Sequence, residues 1–177
     1  MADRWPAWAT QKVEIVDWDP SWSQRASDLI SDLDHRLARW LAGSVEHVGS
    51  TAVPGLAAKP VVDLLAPVVS LVDAPGADDV LSEAGWQLVP PELDRRPWRR
   101  SYVLADDDRR LAHLHLVERE HARWRETLLF RDRLRRHPEL AQEYARVKRF
   151  AARAHADDRE AYTEAKSAFV QDVVARP

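Results

Sequence analysis

Residues 46–63 constrain this chain more than any other stretch. They read Glu-His-Val-Gly-Ser-Thr-Ala-Val-Pro-Gly-Leu-Ala-Ala-Lys-Pro-Val-Val-Asp and hold two of the five glycines, Gly49 and Gly55. A short run at 45–48 stops at Gly49-Ser50-Thr51. A link containing Pro54 and Pro60 follows, and an apolar run from Val61 to Val69 then carries Asp63. This order predicts a strand, a small-residue turn, a constrained link, and a second strand that lifts one carboxylate to the same end. Gly and Ser let a backbone approach a ligand closely and aim N–H groups at an anion, which suits phosphate. An Asp on the neighbouring strand suits a divalent cation bridging such phosphates. The same residues also fit a glycine turn between two core strands, with Asp63 as a strand-end cap.

The rest of the chain frames that stretch. Residues 1–12 carry Trp5, Pro6 and Trp8 without periodicity and read as an N-terminal arm, with one domain over 13–177. Residues 13–16 form a candidate edge strand. Asp19-Pro20-Ser21 starts a helix, with a side-chain oxygen to cap and a proline where no N–H is needed. Trp22, Ala26, Leu29, Leu33, Leu37 and Trp40 then recur at helical steps to about Leu41, before Gly43. A short helix is expected over 78–84, a strand over 86–89 and a loop over 91–100. A hairpin follows, with strands at 102–104 and 111–117 around the acidic turn Asp106-Asp107-Asp108. Helices over 119–136, 138–154 and 157–175 complete the chain.

Strand and helix periods place further polar groups. Alternation in His113-Leu114-His115-Leu116 puts both histidines on one sheet face, where they suit a metal, a proton shuttle or phosphate, or simply a solvated hairpin side. Arg131, Lys148 and Lys166 each fall within the apolar stripe of one of the last three helices. Inward cations need anionic partners, and a polyphosphate is one; snorkelling, or pairing with sheet carboxylates, is the plainer alternative. Only four lysines occur in the chain, so each is worth locating. Arg95, Arg96, Arg99 and Arg100 surround Trp98 in what reads as a solvated loop, or as a contact to a ribose-phosphate or a nucleic acid. Trp5, Trp8 and Trp98 look exposed and are compatible with a partner surface, while a core could equally absorb them.

Composition narrows the classes. No apolar run approaches the ~20 residues of a spanning helix, and residues 1–10 lack a signal peptide's apolar stretch, so a cytoplasmic protein is expected. Zero cysteines exclude disulfides and thiolate metal sites. A net charge of −3 argues against general nucleic-acid binding.

Residues 47–63 closely resemble the signature of the GrpB family. The resemblance extends from about residue 13 to 174 through Asp17-Trp18-Asp19-Pro20-Ser21-Trp22, His113-Leu114-His115, Leu129-Phe130-Arg131-Asp132 and Tyr162-Thr163-Glu164-Ala165-Lys166. It implies an α+β, nucleotidyltransferase-like fold: a small mixed sheet packed with helices, and a C-terminal helical segment. In some bacteria this family is fused to dephospho-CoA kinase. On that footing Gly49, Ser50 and Thr51 would cradle phosphate, and Lys59, Arg131, Lys148 and Lys166 would neutralise it. Asp63 and His115 would hold magnesium or another divalent cation, with Asp63, His115 and Ser50 as the catalytic group. The partners would be a nucleoside triphosphate and a small acceptor.

One departure matters. Nucleotidyl transfer usually employs two or three carboxylates around two metal ions, because both the attacking and leaving oxygens need charge compensation. The chain has Asp63-Leu64-Leu65, with Leu65 where the second acid would stand. His115, His113, Glu46 or Glu118 would have to complete the site, or one metal binds, or catalysis is lost. An accessory module that binds a nucleotide or CoA-related ligand without turnover is therefore the alternative expectation, beside a specialised ligase that reuses the pocket.

Overall fold

A computed structural model describes residues 6–176. Five strands form one mixed sheet in the order β1-β2-β5-β4-β3. These are β1 (Glu46–Val48), β2 (Val62–Val68), β3 (Trp86–Leu88), β4 (Arg100–Asp106) and β5 (Arg109–Glu118). Only the central β2–β5 pair is parallel; the other pairs are antiparallel. Six α-helices accompany them: α1 (Ser21–Arg36), α2 (Asp78–Glu83), α3 (Pro91–Asp94), α4 (Ala122–Arg136), α5 (Pro138–Ala154) and α6 (Arg159–Ala175). None is long and apolar enough to cross a membrane, among the described residues.

Alternation along the central strands divides the molecule. Val62, Leu64, Ala66 and Val68 of β2 join Ala112, Leu114 and Leu116 of β5 beneath Trp22, Ala26 and Leu33 of α1 in the main core. The other face carries Asp63, Leu65, His113 and His115. The C-terminal helices have their own core, where Leu134, Leu140, Tyr144 and Val173 close over Val53 and Leu56 of the link after the glycine turn. A third cluster (Val48, Leu65, Val117 and Trp124) ties α4 to the sheet.

Several boundaries differ from expectation, each for a tertiary reason. Helix α1 starts where Asp19 Oδ1 accepts from Ser21 N at 2.8 Å, but ends at Arg36 rather than near Leu41. The chain turns there so that Leu41 bridges Val68 and Ala42 N donates to Pro67 O at 2.8 Å. Sheet-edge pairing outweighs helical propensity at that point. Residues 13–16 make no strand; Val16 forms a single bridge to Ala58. The hairpin is longer and its turn tighter than expected, because Asp107 adopts a left-handed φ of 52° and closes the connection in two residues. The 91–100 segment contains the single turn α3, and Asp94 within it is buried. Helix α4 begins later than residue 119, with His121 Nδ1 accepting from Arg123 N at 3.1 Å. Helix α6 begins after Asp158, whose Oδ1 caps Ala161 N at 2.9 Å.

Of the alternatives for the tryptophans, Trp8 and Trp98 take the packed one. Trp8 is 2% exposed and donates from Nε1 to Gln87 Oε1 at 2.7 Å, so the described part of the N-terminal arm is docked on the sheet edge. Trp98 is half-buried against His121, with the rings 5.9 Å apart and nearly parallel. Trp5 lies outside the described residues.

Candidate functional site

Parallel pairing of β2 and β5 brings residues 50 positions apart side by side. Asp63 lies opposite His113, and Leu65 opposite His115. Asp63 Oδ1 and His113 Nδ1 are 2.8 Å apart. Asp63, His113 and His115 each offer one donor atom, and these three atoms lie within 4.8 Å of one another. Burial pushes the Asp63 carboxyl up, but the hydrogen bond from His113 and the charges of His113, His115 and Lys59 outweigh it. They hold Asp63 well below the usual carboxylate range, so it is an anion and His113 Nδ1 carries the shared proton.

β4 adds a supporting chain of polar groups. Ser101 pairs with His115 across the antiparallel ladder, and its Oγ lies 3.0 Å from His115 Nδ1. The same hydroxyl donates to Asp94 Oδ2 at 3.0 Å, and Arg99 Nε donates to both Asp94 oxygens at 3.0–3.1 Å. A hydroxyl has one proton; with it on Asp94, Ser101 accepts from His115 Nδ1–H. This network assigns the Nδ1–H tautomer and leaves the lone pair of His115 on Nε2.

The glycine turn packs directly on the carboxylate. Gly49 has φ of 71°, and a Cβ placed there would stand 2.5 Å from Asp63 Oδ2. Both the backbone conformation and the close approach therefore require glycine. Ser50 opens the 3-10 turn Ser50–Ala52 and lines the same cavity as Tyr144. Thr51 is turned inward, with Oγ1 2.9 Å from His47 Nε2. Burial lowers the His47 imidazole to about 4, with Asp63 opposing and Arg135 and Arg131 assisting, so His47 is neutral at pH 7.

A cavity of about 650 Å³ opens over these groups, and three of the four lysines line it: Lys59, Lys148 and Lys166. Lys59 and Lys166 lie against the Tyr162 ring at 4.7 and 3.9 Å from its centroid. Lys148 is 2% exposed, donates to Ala57 O, and lies 4.8 Å from the Tyr144 ring centre. Burial pulls its ammonium down to about 7; Lys166, Arg149 and Lys59 push the same way, and Asp63 opposes them. Arg95, Arg96, Arg99 and Trp98 also line this cavity, so that segment borders the site rather than facing bulk solvent alone.

Arg131 is placed differently. It is buried, as its helical phase predicts, but donates to Glu46 Oε2 at 2.7 Å, Asp132 Oδ1 at 2.8 Å and His47 O at 3.0 Å. It is not among the cavity-lining residues. Its anions are the protein's own carboxylates, and its effect is to anchor β1 to α4. Of the groups proposed to complete the acid set, His113 and His115 are at the site. Glu46 is paired to Arg131, and Glu118 accepts from Leu71 N at 3.0 Å. Leu65 is 3% exposed in an apolar cluster with Trp124, so nothing acidic replaces the second carboxylate on β2. One carboxylate and two imidazoles are a poor donor set for magnesium, which takes carboxylate, carbonyl and water oxygens.

Ser101, Asp94 and Tyr144 complete the site without a signal in the sequence, and Tyr162 joins them from the 162–166 motif with no role assigned to it there. The tyrosines lie on apolar stripes; Ser101 meets His115 through strand register, and Asp94 is brought to Ser101 by the turn α3.

With this geometry in place, the likenesses to known proteins acquire a location. The sequence profile of the family described as GrpB protein matches residues 12–176. A UPF0157 protein of Pseudomonas aeruginosa is 36% identical over 98% of this chain and 71% of its own length. The UPF0157 protein YqkA of Bacillus subtilis is 29% identical over 91% of this chain, which spans only 46% of it. A dephospho-CoA kinase of Mycolicibacterium paratuberculosis is 28% identical over 95% of this chain and 46% of its own. Among solved structures, the conserved protein GrpB from Enterococcus faecalis superposes with a TM-score of 0.79 at 26% identity, over 91% of this chain and 94% of that one. The Cid1 poly(U) polymerase superposes with a TM-score of 0.57 at 13% identity, over 85% of this chain and 49% of that one. The last likeness concerns the fold alone, which is α+β and nucleotidyltransferase-like.

Proposed function

The chain belongs to the GrpB family, and from that premise we propose that it binds the triphosphate of a nucleotide in the Asp63 cavity and transfers a nucleotidyl or phosphoryl group to a small acceptor. One observation carries this reading: three of the chain's four lysines line the cavity onto which the Gly49-Ser50 turn and the Asp63 carboxylate open. Three amines around one hollow, two of them ammonium and Lys148 partly protonated near neutral pH, disfavour one another's charge, and a polyanion relieves that repulsion. Lys59, Lys148 and Lys166 would neutralise the phosphates while the backbone at 49–51 approaches them. The acceptor's oxygen or nitrogen forms the new bond to phosphorus as the bond to the leaving phosphate or pyrophosphate breaks. Magnesium enters this reading as the counter-ion that the triphosphate brings. The reaction belongs in the cytoplasm, where nucleoside triphosphates are held.

The test is a thermal-shift series with the four ribonucleoside triphosphates, followed by turnover assays on any that bind. A ligand at 100 times its dissociation constant stabilises by about 2.7 kcal/mol. Asp63→Ala is expected to abolish turnover while the fold survives; turnover at the wild-type rate would refute the assignment. A second reading is favoured by Leu65, which removes the carboxylate expected of a two-metal centre: a module that binds a nucleotide or CoA-related ligand without turnover. The similarity to proteins named dephospho-CoA kinase supports that setting. A shift with triphosphate and no turnover for any acceptor class is its expected signature. A ligase reusing the pocket would instead show turnover only with its own acceptor.

A further inference from the structure

We propose that Asp63, His113 and His115 form a binding site for one borderline transition-metal dication of the zinc, cobalt and ferrous-iron class. This departs from the carboxylate-held magnesium that the fold suggests. The site lies in the same cavity as the nucleotide reading but requires neither a nucleotide nor turnover.

The argument begins with donor chemistry. Imidazole nitrogens suit zinc, iron, nickel and cobalt, whereas magnesium is held by oxygens and gives up its water reluctantly. Two histidines and one carboxylate meet here, with their donor atoms within 4.8 Å of one another. An ion of this class sits about 2.0–2.1 Å from each ligand. Donors around it are therefore spaced by roughly 3–3.5 Å, so the widest-spaced pair needs to close by up to about 1.5 Å.

The surrounding groups hold the imidazoles in a ligating state. His115 donates Nδ1–H to Ser101, and an ion between Asp63 Oδ1 and His113 Nδ1 would take the place of the proton they share across 2.8 Å. The His115 lone pair therefore stands on Nε2, as when an outer partner fixes the tautomer of a metal-bound histidine, whereas His113 ligates through Nδ1 and its ring proton moves to Nε2 on binding. The Ser101 link runs on to buried Asp94 and Arg99, a support more extensive than a solvated histidine would require. Three protein donors leave a position open to the cavity. That is the pattern of sites that engage a substrate or water, and unlike the closed four-ligand pattern of structural ions. Leu65 agrees with this reading: its apolar packing against Trp124 removes the second oxygen ligand at the position where a magnesium pair would need it.

The test uses full-length protein stripped by a chelator, with no nucleotide present. Cobalt(II) is titrated and its ligand-field absorption followed. One equivalent per chain is expected, displaced by one equivalent of zinc and undisturbed by a large molar excess of magnesium. His113→Ala and His115→Ala are each expected to weaken cobalt binding at least about 10–100-fold, a range seen even for loss of an outer partner. Ser101→Ala should weaken it toward the lower end of that range. His121→Ala, which removes the cap of α4 and the ring stacked on Trp98 but no donor of the site, should leave it unchanged; melting curves of each metal-free variant verify folding. Magnesium displacing cobalt at comparable concentration, a stoichiometry other than one, or either site-histidine variant binding like wild type would overturn the inference. Loss of the cobalt site beside an intact triphosphate shift defeats this inference alone. The reverse result defeats the nucleotide reading alone.

Discussion

The two faces of the β2–β5 pair use the same backbone for opposite purposes. On one face Val62, Leu64, Ala66, Leu114 and Leu116 are fully enclosed under α1 and α2. One residue further along each strand, Asp63, His113 and His115 open on a cavity lined by lysines. The first face is stabilised by removing apolar surface from water. The second gathers three lysines and a partly buried carboxylate around open space, beside a turn that glycine alone adopts without strain, and so adds less to stability. Stability and chemistry are thus separated by the period of the strand rather than by distance along the chain.

That contrast makes predictions that differ in size and kind. The largest belongs to the enclosed face: Leu114→Ala should lower unfolding free energy by about 2–5 kcal/mol. Denaturant titration measures it, and the folded fraction should retain its triphosphate shift. Loss of ligand binding in protein that is still folded would erase the separation. Next is Gly49→Ala, where strained backbone costs about 1–3 kcal/mol and the new methyl collides with Asp63 Oδ2. Here the triphosphate shift should vanish while the far-ultraviolet spectrum is kept.

Lys148→Met should divide the faces more finely. Triphosphate affinity should fall by about tenfold, while stability holds or rises because a buried cation is gone. Its titration has a sign. Lys148 has a folded value of about 7, set by burial and by the facing charges of Lys166, Arg149, Asp63 and Lys59. Between that value and the ordinary lysine range the unfolded chain binds the extra proton, so stability from this group rises with pH over that window. A bound polyanion favours the charged amine, so binding at pH 8 should take up a proton. Calorimetry in buffers of different ionisation enthalpy should register that uptake in wild type and lose it in Lys148→Met.

The smallest effect is expected at His47, which faces Asp63, Arg135 and Arg131 and is held neutral down to about 4. As pH falls from 6.5 the unfolded chain protonates first, so stability should decline toward pH 4 and then level off. His47→Gln should flatten that decline in pH-dependent melting curves; an unchanged slope would assign the acid sensitivity to another group.

Much of this was legible before the fold was known, and the failures are instructive. Strand alternation alone places His113 and His115 together, and helical phase alone turns Arg131 and Lys148 inward. Period says which way a side chain faces, not what it meets. Arg131 meets Glu46 and Asp132, whereas Lys148 meets a backbone carbonyl and the rim of a charged cavity. The same inward cation is structural in one helix and available to a ligand in the other. Ser101 and Asp94 gave no signal, because their roles depend on a ladder register and on the placing of the turn α3, which no local pattern contains. Trp8 read as exposed because a short arm has no periodicity, and its burial comes from docking beside Gln87.

The residue pattern by itself determined where strands and helices form, which side of each strand is apolar, and that Gly49 precedes an aspartate-bearing strand, because these are local matters of backbone freedom and spacing. Only the tertiary structure decided that Asp63 meets His113 across 50 residues, that three lysines face them, and that Leu65 closes the place of a second acid. Those outcomes arise from pairing β2 with β5 and folding three helices back across the sheet, and distant parts of a chain acquire a common neighbourhood only when the core that joins them is buried.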